Sequence, residues 1–276
     1  MRRWSFTKGH GTENDFVVLL DREDVLDPSA EDIRFLCDRR AGIGADGVLR
    51  AVLARHTPGW TGPGDAWFMD YRNADGSLAQ MCGNGVRVFV RYLLDAGLAS
   101  GPEVAVATRD GVKQASVLPG GHIRVAMGAV TTDPGLVTVR TADGLEHSAT
   151  PADVGNPHAV SFVADPEALD LHRAPVWAPD GAFPEGVNLE FVRLVADHHL
   201  AMRVFERGVG ETRSCGTGTV AVAAVAQSRE PDAAASATWT VDVPGGTVSV
   251  ELTPEQAYLT GPAVLVAHGE VTLPTR

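Results

Sequence analysis

Met81-Cys82-Gly83-Asn84-Gly85 and Ser214-Cys215-Gly216-Thr217-Gly218 are one pattern written twice, with the two cysteines 133 positions apart. Each block sets a cysteine and two glycines at the mouth of an apolar stretch. After Cys82, the residues Val86, Phe89, Val90, Leu93 and Gly97 recur at helical spacing, which predicts a helix with one packed face. After Cys215, residues 217–227 are nearly all Ala and Val, and a helix apolar all round is usually a buried one. The match extends upstream. Asn73 and Glu206 each stand nine residues before their cysteine, and the strand-like residues 67–72 correspond to 200–205. The chain therefore reads as two related halves.

A cysteine at a helix N-terminus lies beside free N–H groups and the positive end of the helix dipole. Its thiolate is stabilised there, so the thiol is expected to ionise closer to neutrality than the usual value of about 8.5. The adjacent glycines let a ligand approach the main chain, and exposed N–H groups suit a carboxylate or phosphate. Two such thiols facing one carboxylate-bearing carbon suit inversion: one removes the α-proton and the other delivers a proton to the opposite face. His158 and Glu206 are the natural candidates for tuning them.

Other uses of the cysteines are weaker. Cys37 follows Ile33 and Leu36 on an amphipathic helix expected over residues 33–40, without glycines or an anion cradle, and reads as packing. A net charge of −12, three cysteines in 276 residues and the lack of an N-terminal apolar core of roughly 7 to 15 residues point to a reducing cytoplasm, which argues against a structural disulfide. No CxxC or HExxH occurs, so no metal site is expected. His198-His199 reads as a solvated turn and His10 as structural. Gly42-Ile43-Gly44-Ala45-Asp46-Gly47 matches GxGxxG, but a helix precedes it and a strand follows it, the reverse of a dinucleotide site. An acidic chain without a basic stripe argues against nucleic acid, and no apolar run approaches the roughly 18 to 20 residues of a membrane span.

Most of the remaining chain reads as strands of alternating or β-branched character, at 67–72, 103–108, 112–118, 122–127, 187–194, 200–205, 238–243, 247–252 and 263–272. Hairpin-linked strands with one buried helix per half predict an α+β fold of two pseudo-symmetric domains. Each is expected to be a curved, mostly antiparallel sheet or barrel around its helix, with the cleft between them. The expected domains are 1–119, completed by a C-terminal strand at 264–276, and 120–263.

The opening Phe6-Thr7-Lys8-Gly9-His10-Gly11-Thr12-Glu13-Asn14-Asp15-Phe16, the segment 42–47, Asn73-Ala74-Asp75-Gly76-Ser77, the Cys82 block, Gly155-Asn156-Pro157-His158, Asn188 and residues 206–218 together resemble the diaminopimelate epimerase family, nearly end to end. Proline racemase shares that fold, and PhzF-type isomerases lack the cysteine pair. The resemblance implies a cofactor-independent interconversion of LL- and meso-diaminopimelate, on the route to lysine and peptidoglycan, by a cytoplasmic homodimer acting on a small amino acid. It implies Cys82 and Cys215 as the acid/base thiols and main-chain N–H groups at Gly83, Asn84, Gly216 and Thr217 as the carboxylate cradle. Asn14, Asn73, Asn156, Asn188, Glu206 and Arg207 become substrate contacts, with His158 and Glu206 adjusting the thiols. Two positions depart from the family pattern: Glu13 stands where a glycine commonly precedes Asn-Asp-Phe, and Gly47 where some members carry a glutamine. The remaining alternatives are a cysteine-dependent racemase or epimerase of another amino acid, and a non-catalytic amino-acid binder.

Overall fold

The structure, a computed structural model, describes residues 2–230 and 234–274. The chain divides into two compact units, Met1–Val125 with Pro262–Arg276, and Ala126–Gly261. In unit 1, β1 (Arg3–Gly11) and β2 (Asn14–Leu20) form a hairpin whose two turn residues, Thr12 and Glu13, both have positive φ (49° and 61°). Such a tight turn matches the twist of the strands and favours Asn-Gly, so Glu13 occupies a backbone position that suits glycine. Helix α1 (Ala30–Cys37) starts at Ser29 with a reciprocal cap, Ser29 and Asp32 each accepting from the other's main-chain N–H. The helix ends at Cys37, three residues earlier than expected, because Asp38 turns extended and its carboxylate accepts from the N–H groups of Arg40 and Ala41.

Strands β3 (Gly47–Leu53) and β4 (Trp67–Asn73), helix α2 (Gly83–Asp95), β5 (Glu103–Thr108), β6 (Gly111–Val117) and β7 (Ile123–Gly128) follow. In unit 2 come β8 (Thr131–Thr132), β9 (Val137–Arg140), β10 (Glu146–Asp153), β11 (Pro157–Phe162), β12 (Val176–Ala178), β13 (Asn188–Ala196), β14 (His199–Glu206), β15 (Gly210–Thr212), helix α3 (Gly216–Ser228), β16 (Ala237–Val243), β17 (Gly246–Leu252) and β18 (Ala257–Gly261). The chain returns to unit 1 as β19 (Val264–Thr272), antiparallel to β1.

The two units repeat one topology. In unit 1 the pair β1–β2 is antiparallel, β2–β3 parallel, β3–β4 antiparallel, β4–β5 parallel across α2, and β5–β6 and β6–β7 antiparallel. In unit 2 the same sequence of steps runs β10–β11, β11–β13, β13–β14, β14–β16 across α3, β16–β17 and β17–β18. The sheets are thus mainly antiparallel, each with two parallel steps. Each helix is packed by its own sheet. Val86, Val88, Phe89, Val90 and Leu93 of α2 are fully buried, as is the run Val220–Val225 of α3 except Ala224, which is 8% exposed. Burial of such side chains contributes roughly 1.5–3 kcal/mol each, so both helices, and the cysteines that begin them, are held from below.

Candidate active site

Cys82 is the N-cap of α2. Its backbone is extended, and its Sγ accepts the Gly85 N–H at 3.4 Å. The N–H groups of Gly83 and Asn84, in the first turn, have no intrahelical acceptor. Asn14, buried at the start of β2, donates through Nδ2 to Asp46 Oδ2 at 2.8 Å. That bond turns Asn14 Oδ1 toward Cys82 Sγ (3.6 Å) and Asn84 Nδ2 (3.3 Å). Asp46 is itself held by Arg39 at 2.7 Å. Asn73 ends β4 opposite Gly47, and its amide donates to Ser77 Oγ at 3.0 Å. A methyl group at Gly47 would lie 2.7 Å from both the Tyr71 ring and the Arg72 carbonyl oxygen. The strand pair leaves no space there for a side chain.

Cys215 is the N-cap of α3 in the same conformation, with Sγ accepting the Gly218 N–H at 3.4 Å. A hydrogen-bonded series runs away from it: Thr217 Oγ1 lies 3.5 Å from Sγ, Asn156 Nδ2 donates to Thr217 Oγ1 at 3.4 Å, and His158 Nε2 meets Asn156 Oδ1 at 3.1 Å. His158 Nδ1 then meets Glu190 Oε1 at 2.6 Å, and both side chains are completely buried. Asn188 Nδ2 donates to the Pro157 carbonyl at 3.2 Å, and Asn188 Oδ1 receives the Arg207 N–H at 3.0 Å. Glu206 accepts from the Thr212 hydroxyl. Arg207 is exposed, with its guanidinium on the Glu185 carbonyl at 3.1 Å.

The Cys215 thiol does not follow the expected shift toward neutrality. Burial pushes it well above the usual thiol value, and the charges of Glu206 and Glu190 push the same way. The Thr217 hydroxyl and the Gly218 N–H oppose them without prevailing. Desolvation and two carboxylates outweigh a helix end at this sulfur. Cys37 lies in the unit 1 core, its thiol pushed up to about 12 by burial.

Glu190 is missing from the sequence-derived set. Its signal was present: an acid in the apolar run Val187 to Val192, two residues after Asn188 and so on the same strand face. Asp46 was hidden in the same way inside the GxGxxG-like segment, which lies, as expected, after α1 and before β3. His199 opens β14 and pairs with Asp242 at 2.7 Å, while His198 stacks on Trp239 at 4.5 Å, so this pair is more engaged than a solvated turn. His10 is structural, accepting the Glu13 N–H.

The repeated topology makes the two sites comparable position by position. Phe16 pairs with Gly47 in unit 1 as His158 pairs with Asn188 in unit 2. Two residues further along the second strand stand Leu49 and Glu190. A methyl at Gly85 would meet Leu49 and Phe16, whereas one at Gly218 would meet Glu190 Oε1 at 2.9 Å. The floor beneath one cysteine is hydrocarbon, and beneath the other it is a buried histidine–carboxylate pair.

The sequence family of diaminopimelate epimerase matches residues 6–132 and 150–266. The diaminopimelate epimerase of Streptomyces coelicolor is 51% identical over 97% of this chain and 95% of its own, and that of Thermobifida fusca is 51% identical over 97% and 98%. Among solved structures, a PhzF-family phenazine biosynthesis protein from Bacillus anthracis shares the fold at a TM-score of 0.73 and 16% identity, covering 99% of this chain and 100% of its own. A hydroxyproline epimerase from Agrobacterium vitis does so at 0.69 and 16%, covering 98% and 92%. Among the described residues no helix is long and apolar enough to cross a membrane. With half of its residues shared over nearly its whole length with these enzymes, the chain belongs to the diaminopimelate epimerase family and is an isomerase.

Proposed function

We propose that the protein interconverts LL- and meso-2,6-diaminopimelate by exchange of the α-proton between Cys82 and Cys215, without an added cofactor, in the supply of lysine and peptidoglycan precursors. The observation that carries this reading is that both cysteines are helix N-caps with extended backbone, each sulfur accepting the N–H three residues on, at the first turn of its own helix. The α-carboxylate is held by the N–H groups of Gly83 and Asn84 and of Gly216 and Thr217, where the helix ends favour the negative charge that develops on deprotonation. One thiolate takes the proton as the Cα–H bond breaks and its electron pair stays on carbon. The other thiol then gives its proton to the opposite face. The sulfurs have exchanged protonation states, so the next turnover runs in reverse.

Asn14, Asn73, Asn156, Asn188, Glu206 and Arg207 contact the substrate, with Arg207 as the clamp for the distal carboxylate, a task suited to the planar guanidinium fork. His158 and Glu206 adjust the thiols. The exposed Arg207 guanidinium, bonded only to a carbonyl among the described residues, is available for a carboxylate. The relatives at 51% identity carry the name diaminopimelate epimerase, which supports the substrate; a cytoplasmic setting and a homodimer rest on the family resemblance alone.

Solvent deuterium incorporation at the α-carbon tests the reading, with LL-diaminopimelate, lysine and proline compared under reducing conditions without added cofactor. Exchange with conversion to the meso form is expected for LL-diaminopimelate alone, and Cys82→Ala or Cys215→Ala abolishes conversion while leaving the protein folded. Exchange with a different amino acid only would overturn the substrate assignment, and turnover by either alanine variant would overturn the two-thiol exchange.

A further inference from the structure

The exchange described above leaves Arg87 without a task. It lies on α2 five residues after Cys82 and is completely buried. Its Nη2 donates to Asn84 Oδ1 at 2.9 Å and to Thr12 Oγ1 at 3.1 Å, but Nε and Nη1 have no hydrogen-bond partner, and none of its partners is a carboxylate. A desolvated guanidinium without a counter-charge is strongly disfavoured. Burial lowers the guanidinium to about 10, and the charge of Cys82 is what opposes that shift. The hairpin leaves space for it, since a methyl at Gly11 would lie 2.9 Å from Nη2. The corresponding residue after Cys215 is Val220, so the cation belongs to one thiol only.

We propose that Arg87 is a positioning residue for Cys82: its buried guanidinium is the counter-charge for the ionised sulfur and the anchor that orients Asn84 and Asn14 around it. This rests on Cys82 being one of the two exchanging thiols. The donor directions close in one order. Arg87 donates to Asn84 Oδ1, which leaves Asn84 Nδ2 for Asn14 Oδ1 at 3.3 Å, and Asn14 Nδ2 is taken by Asp46 at 2.8 Å. Asn14 Oδ1, held in this way, receives the S–H of protonated Cys82 at 3.6 Å, while the thiolate has the Gly85 N–H at 3.4 Å and the field of Arg87. A proton-exchanging sulfur needs a partner for each state, and both are in place.

Apart from His268, exposed on β19, the other charges named on elements packed against α2 are satisfied among themselves or by polar groups. Lys8 pairs with Asp15, Arg39 with Asp15 and Asp46, Arg50 and Arg72 with Asp70, Arg3 with Glu270 and Lys113 with Asp110. Glu103 accepts from Ser116, and His10 from the Glu13 N–H. None of these is a spare cation for the sulfur.

The test is site-resolved alkylation with iodoacetamide over about pH 6 to 10, read by mass spectrometry of the Cys82 and Cys215 peptides in wild type, Arg87→Met and Arg87→Lys. Arg87→Met is expected to raise the Cys82 midpoint by about one unit or more, which is about tenfold slower alkylation near neutrality. Arg87→Lys restores most of that reactivity, and the Cys215 midpoint stays in place. An unchanged Cys82 midpoint in folded Arg87→Met, or equal shifts in the Met and Lys variants, overturns the proposal. Should Arg87→Met fail to fold, Arg87→Gln, which keeps N–H donors but removes the charge, takes its place: it must raise the Cys82 midpoint, and an unchanged midpoint refutes the role. No substrate enters this experiment, so an error in the substrate assignment shows in the deuterium exchange and leaves the alkylation result standing.

Discussion

Replacing Glu190 by glutamine tests the buried pair beneath Cys215 in two independent ways. Glu190 and His158 are both inaccessible to solvent, joined at 2.6 Å, and the second carboxylate oxygen of Glu190 has no hydrogen-bond partner. A hydrogen bond to a charged group contributes about 1.5–3 kcal/mol, and an amide placed where a carboxylate oxygen was leaves an N–H to be satisfied at about 1–3 kcal/mol. Glu190→Gln is therefore expected to lose about 2–4 kcal/mol, a large part of the total stability of an ordinary domain. With a urea dependence of about 2 kcal/mol per molar, the unfolding midpoint falls by about 1–2 M. The double variant His158→Leu with Glu190→Leu removes both polar groups and is expected to be more stable than Glu190→Leu alone, because the single change strands a buried histidine. The second readout has the opposite sign. Glu190 is one of two carboxylates that raise the Cys215 thiol, so the less stable Glu190→Gln protein carries a Cys215 that alkylates at lower pH. A midpoint in urea within about 0.5 M of wild type, or a Cys215 that becomes harder to alkylate, refutes the reasoning.

Two further outcomes follow from unit 1. Burial pushes the Asp15 carboxyl up, but the hydrogen bonds and charges of Arg39 and Lys8 outweigh it and hold it at about 2. A depressed carboxylate contributes stability that is present above its unfolded value near 4 and is lost as pH falls through the folded value. Asp15→Asn is thus expected to lose about 2 kcal/mol at pH 7, with the gap to wild type closing between about pH 4 and pH 2 in urea titrations; a gap independent of pH contradicts this. Glu13→Gly relieves a left-handed residue at about 1–2 kcal/mol and adds about 0.5–1 kcal/mol of unfolded-chain freedom, so a net gain of roughly 0.5–1 kcal/mol is expected by thermal unfolding. A less stable Glu13→Gly would show that the side chain matters more than the backbone angle.

Much of this was legible before any coordinates. The duplicated cysteine blocks placed both helix starts, since Cys82 and Cys215 are N-caps. The β-branched runs at 103–108 and 238–243 became β5 and β16 to within a residue. The less patterned strands were not read. The β1–β2 hairpin joins its strands by Thr12-Glu13, which lacks the usual turn residues, and β8, β12 and β15 are only two or three residues long. At the site, the named asparagines carried a motif, whereas Glu190 and Arg87 did not. The spacing of Glu190 from Asn188 put it on the same strand face, but what Glu190 and Arg87 do depends on burial and on which neighbours lack a charge, properties of the packed sheet and helix.

The two units repeat one topology, yet they hold their cysteines in unlike surroundings. Topology places a cysteine N-cap, two glycines and a helix start in both units. The residues the topology leaves free have gone opposite ways: Arg87 against Val220, Leu49 against Glu190, Phe16 against His158. One cysteine therefore sits over hydrocarbon beside a cation, and the other is buried among carboxylates. Two identical sites would give two sulfurs of equal acidity, and under the proposed exchange the doubly ionised and doubly protonated enzyme would compete with the one-thiolate form at any pH. Opposed local fields would favour, in the exchange proposed above, the state with one thiolate and one thiol. That asymmetry leads to a sharp expectation for combined variants. Arg87→Met is expected to make Cys82 less acidic and Glu190→Gln to make Cys215 more acidic, so the double variant brings the two together. Its fraction in the one-thiolate state falls below that of either single variant, and an epimerisation rate that instead recovers in the double variant would show that the fields act on something other than the thiols.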